Sequence, residues 1–266
     1  MGVMLMGLAV TATSGMFLAA KWQMKMQQRQ IETTQAARAG VDMIVRDLRL
    51  SGACLPATGD FIALAGTDAG ETDTIVTRTG LTRPNLSCVR STVPSGTVAT
   101  RSSSTVPVES SQGFTAGMRA YIRHPDGSGE YFDVSAVNGP TEIGKAQLLS
   151  RDYPDGSGVY AVDERRFSIE PWSTPHGPEP ELLLQIGSKP PQPFAAAVEK
   201  LDIHYELRRN CPPCDVVGLP NSGEEWALVD AVQLSLTARS ELPDVKGDYY
   251  RRTVTVDVKP RNLMPR

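Results

Sequence analysis

Cys211-Pro212-Pro213-Cys214 is the motif in this 266-residue chain whose spacing could do chemistry. Two cysteines separated by two residues carry out thiol–disulfide exchange when the first thiolate sits at a helix N-terminus, where the dipole lowers its pKa. The residues that follow, Asp215-Val216-Val217-Gly218-Leu219-Pro220, start a helix poorly and soon break it. A zinc site would need a second close cysteine pair, and Cys54 and Cys88 are far apart in sequence. Redox chemistry and zinc therefore stand as rivals to a local disulfide that clasps a loop; the disulfide is the expectation. The most economical arrangement pairs Cys54 with Cys88 and Cys211 with Cys214, although four cysteines permit three connectivities.

The other chemistry-bearing residues are dispersed. His124, His176 and His204 are widely separated and read as solvated surface residues. No His-x-x-x-His pair, Gly-rich phosphate loop or Gly-x-Ser-x-Gly elbow is present. Glu224-Glu225 reads as a solvated loop. Pro125-Asp126-Gly127-Ser128-Gly129 recurs at Pro154-Asp155-Gly156-Ser157-Gly158, and both copies read as tight-turn loop tips. Calcium is the sharper alternative there, but neither copy has the alternating carboxylates or the closing Glu of a calcium loop. The expectation is no catalytic residue, no metal and no cofactor. A net charge of −3 gives no basic excess, so nucleic acid is not expected as a principal partner. Aromatic content of 6% is low for a sugar-binding or peptide-binding surface.

The elements that must carry these residues begin with a helix. Met1 to Ala20 is uncharged, and about twenty residues at 1.5 Å rise match a hydrocarbon core of roughly 30 Å. A cleaved signal peptide fits less well, because no basic residue precedes the run and apolar chain continues past Thr13-Ser14-Gly15. The small residues in this span suit helix–helix packing. The contacts expected there, in a membrane or a filament core, are Gly7, Val10, Ser14 and Phe17. The helical pattern runs on to Leu50, so one rod of roughly 75 Å is expected. Ala37, Val41, Ile44 and Leu48 form an apolar stripe that should pack against the rest of the chain. Ser51-Gly52 supplies the stop.

Beyond the helix, scattered Pro and Gly favour short strands and turns. Three segments alternate with period two: Leu201 to Leu207, Val232 to Ala238 and Val254 to Val258. They describe an antiparallel sheet with one apolar and one wet face. The fold class expected is α+β. Residues 1–52 form the N-terminal helix, with 1–20 transmembrane or filament core and 21–52 amphipathic. Residues 53–266 form a β-rich globular domain. Four cysteines confined to that part suggest disulfides in an oxidising, extracytoplasmic compartment. Lys21, Lys25 and Arg29 alone would place their side of the span in the cytoplasm; the cysteines argue for the reverse, and a missing basic N-terminus would reconcile the two.

Gln35 to Cys54, with Arg46-Asp47-Leu48-Arg49 closing the helix before Ser51-Gly52-Ala53-Cys54, resembles the helix end of minor type IV pilins of the PilW type and of J-type pseudopilins of type II secretion. Two further stretches are similar: Val198-Glu199-Lys200-Leu201 with Tyr205, and the closing strand Thr253 to Lys259 ending in Arg261-Asn262-Leu263. The leader, Phe and Glu of such precursors are absent, and a misassigned start or a truncated sequence is the expectation. The resemblance implies a type IV pilin-like fold, a long N-terminal helix packed on an antiparallel β-sheet domain. It implies a structural subunit that primes assembly of, and caps, a type IV pilus or pseudopilus. Other minor pilins or pseudopilins and the major pilin would be the partners. Before assembly it would be a single-pass inner-membrane protein with a periplasmic C-terminal domain. The alternatives are a pilus-tip adhesin with an unknown surface ligand, and an envelope thiol–disulfide protein using Cys211 and Cys214.

Overall fold

The computed structural model describes residues 2–85, 87–174, 177–209, 211–244 and 247–263; for 2–16, 18, 19 and 22 it describes the backbone alone. Helix α1 spans Gly2–Leu50. Its end is set by Gly52, whose φ of +81° suits a residue without a side chain. A Cβ there would also lie 2.7 Å from the backbone oxygen of Asn262, so the C-terminal segment closes over the helix end.

The strands that follow are β1 (Leu64–Thr67), β2 (Thr74–Gly80), β3 (Arg90–Thr92), β4 (Thr105–Pro107), β5 (Arg119–Arg123), β6 (Gly129–Val137) and β7 (Glu142–Lys145). Next come β8 (Gly158–Thr174), β9 (Gly177–Ile186), β10 (Gln192–Ala195), β11 (Val198–Leu207) and β12 (Asp215–Val217). A short helix α2 (Gly223–Ala227) precedes β13 (Val229–Arg239) and β14 (Arg251–Val258). Ten strands make one sheet, centred on the 17-residue β8. The first part of β8 pairs with β3 and β5, and its later part with β2 and β9. The second sheet has four strands in the order β12-β11-β13-β14.

This corrects the expected fold class. The chain is mostly β, a two-sheet fold, and not one long helix on a single antiparallel sheet. The physical reason lies in the middle of the chain. Strands of three residues, such as β3 and β4, offer too few alternations to be recognised. In β8 the run Asp163-Glu164-Arg165-Arg166 interrupts the apolar pattern, yet each residue is paired across to β2.

The expected single-pass inner-membrane placement is corrected as well: among the described residues no helix is long and apolar enough to cross a membrane. The contacts expected at Gly7, Val10 and Ser14 lie outside the described side chains, and His176 lies outside the described residues.

Two large apolar cores and a smaller one around Leu55, Tyr121 and Val162 hold the described residues together. In the first, Ala37, Val41, Ile44 and Leu48 of α1 meet Leu234, Leu236 and Val258 of the four-stranded sheet and Phe167 and Leu182 of the ten-stranded one. The second lies within the large sheet and contains Val106, Phe114, Ile122, Phe132, Ile143 and Tyr153. Helix α1 is thus held by its C-terminal half, between the sheets.

Candidate functional site

Cys211 is joined to Cys214 across the loop between β11 and β12. Strand β12 begins immediately after Cys214, so no helix N-terminus points at either sulfur to favour a thiolate. The neighbouring guanidinium of Arg209 fixes the loop, 2.8 Å from Asp215 and 2.6 Å from Glu225. Glu225 also accepts from the Asn221 backbone N–H, and these bonds hold its carboxyl below the usual glutamate range. Cys54 is joined to Cys88 with a Cα–Cα distance of 5.4 Å. Cys54 sits at φ +61°, and Gly80 packs against it where a Cβ would come within 2.6 Å. The first disulfide closes a loop; the second pins the exit of the helix.

The dispersed polar residues make local structure. His124 Nδ1 lies 2.9 Å from Asp126, whose carboxylate also accepts from the Ser128 hydroxyl and from Arg151. Those donors hold the Asp126 carboxyl well below the usual range. This first Pro-Asp-Gly-Ser-Gly copy is not a free tip, because the Gly127 carbonyl accepts from Asp60 N–H at 3.0 Å. In the second copy the Ser157 hydroxyl is buried without a partner. His204 lies 3.4 Å from Asp202 on the wet face of β11. Among the described residues no group of three His, Cys, Asp or Glu could hold a metal ion.

The joint between helix and sheets is built with more care. Ala37, Val41, Ile44 and Leu48 are all buried, and Gly40 lets the side chains of Leu236 and Leu182 approach to within about a Cβ contact distance. Beside this stripe, Asp47 is buried and lies 3.4 Å from Arg165 of β8, which also pairs with Asp163 at 2.9 Å. Burial pushes the Asp47 carboxyl up in spite of the guanidinium. Sequence reasoning missed this bridge, because its members are 118 positions apart and Arg165 lies in a run that does not alternate. Asp73 was missed too. It is buried, and its two oxygens accept from Ala69 and Ile203 N–H at 2.9 Å, tying the β1–β2 turn to β11.

The other half of the helix has a different character. Phe17, Met24 and Ile31 are 71%, 72% and 57% exposed and recur every seven residues. Seven residues are two helical turns, so the three side chains form one stripe on α1. No protein-family model, curated protein or solved structure matches the chain.

Proposed function

We propose that this chain is a structural assembly subunit, of the minor pilin or pseudopilin kind that its helix end and closing strand resemble. It acts by packing α1 against helices of other subunits, and it turns over no substrate. The observation that carries this reading is the exposed stripe Phe17, Met24 and Ile31. Single exposed apolar residues are ordinary on protein surfaces, but a sustained stripe is a seam in search of a partner. Covering each of these side chains is worth about 1.5–3 kcal/mol.

The buried stripe supports the reading from the other side. It fixes the helix rigidly to the sheets, so force or position applied to the projecting half reaches the whole molecule. The partners would be other minor pilins or pseudopilins and the major pilin, with priming of assembly and capping of a tip as the role. A photo-cross-linking residue placed at position 24 tests this in cells. The expected adducts join it to the N-terminal helix of another subunit; adducts confined to its own chain would overturn the reading.

A further inference from the structure

Strand β14 is the edge of the four-stranded sheet, and its outer side meets no other strand among the described residues. An open edge of eight residues is a template for another strand. Alongside it, two hollows of about 480 and 550 Å³ run between α1 and the segments that flank β14. The first is walled by Ile31, Thr34 and Arg38 with Tyr250 just before the strand. The second is walled by Val45, Arg46, Arg49 and Leu50 with Arg261 just after it. The helical residues concerned share one face, about a quarter turn from the buried stripe.

The charge along this groove is one-sided. Arg38, Arg46, Arg49 and Arg261 are exposed, and so is Arg252, which lies two positions before Val254 on the same strand face. No carboxylate lies within ion-pair distance of any of the five among the described residues, whereas Arg78, Arg151, Arg165, Arg209 and Arg239 elsewhere are all paired. Asp42 is the one acid of the lining. Five guanidiniums without a carboxylate partner, gathered beside an open strand edge, point to an external acidic partner.

We infer that the β14 edge and the adjoining face of α1 dock an extended acidic segment of another protein, which adds to the sheet as a fifth strand. Backbone hydrogen bonds to Arg251–Val258 give affinity, the arginines select carboxylates, and Ile31, Val45 and Leu50 take alternate apolar side chains. A protein segment fits better than a nucleic acid, because the edge offers peptide groups and the chain as a whole is acidic. The inference does not depend on the assembly reading: of that reading's stripe only Ile31 also walls this groove, and its test is co-assembly, whereas this one is read along β14.

Selection of displayed random peptides on the full chain, followed by anisotropy and amide exchange with the synthetic winners, tests it. The expected winners carry carboxylates at alternate positions and slow exchange along Arg251–Val258. Their affinity should fall at least about tenfold in Arg46→Glu/Arg252→Glu and less in Arg46→Gln/Arg252→Gln. Winners without acidic bias, unchanged affinity in both variants, or protection elsewhere would overturn it. So would a labelled single-stranded DNA that displaces the peptides and leaves β14 exchange unslowed.

Discussion

Asp73 shows what a single buried carboxylate does in this molecule. Its two oxygens satisfy two backbone N–H groups that would otherwise be stranded between the β1–β2 turn and β11. Asp73→Ala should therefore cost about 1–3 kcal/mol, read as a shift in urea midpoint. The pH dependence has a definite sign. Burial raises the Asp73 carboxyl above its ordinary 3.8, so the folded state binds the proton more tightly than the unfolded one. Stability from this group is lost as pH rises through the raised value and regained as pH falls towards 3.8. Asp47 and Glu181 are raised by burial in the same sense, whereas Asp126 and Glu225 are lowered and oppose it. The difference between wild type and Asp73→Asn isolates the effect. Mild acidification should stabilise wild type more than the variant, and equal pH profiles would show that Asp73 carries none of it.

At the scale of elements, the joint between α1 and the sheets decides whether the projecting helix is rigid. Ile44→Ala should cost about 2–5 kcal/mol, since Ile44 is fully buried in the core that joins helix to both sheets. Arg165→Met should leave Asp47 buried without its counter-charge, at a cost of about 1–3 kcal/mol. Adding Asp47→Leu to that variant should restore most of the loss, because two apolar groups replace a broken pair. Alanine at Cys54 and Cys88 should cost about 2–4 kcal/mol, and alanine at Cys211 and Cys214 distinctly less, because the loop closed is far shorter. What sequence reading could reach follows from range. The spacing of Ala37, Val41, Ile44 and Leu48 is legible within one helix, and the alternation in β11, β13 and β14 within one strand each. The bridge from Asp47 to Arg165 and the groove between α1 and β14 exist only once distant segments meet. Most of the ten-stranded sheet stayed hidden for another reason: strands such as β3 and β4 are short, and β8 carries charge where an apolar residue would have announced it.

For the whole molecule, the proposed assembly role resides in the projecting half of α1, with the sheets as its rigid support. Phe17, Met24 and Ile31 are exposed, so changing them should leave the fold alone, within about 0.5 kcal/mol. The disulfide at Cys211 and Cys214 makes the opposite case, a local change whose effect should be on stability and not on any reaction. The most direct measurement is co-purification of partner subunits with Phe17→Asp/Met24→Asp, set beside wild type and Cys211→Ala/Cys214→Ala. The account predicts that the aspartate variant is folded, with an unchanged melting temperature, and brings down no partner, while the alanine variant still does. Normal co-purification with the aspartate variant, together with loss of function in a folded and abundant alanine variant, would contradict it and put the thiol–disulfide reading in its place.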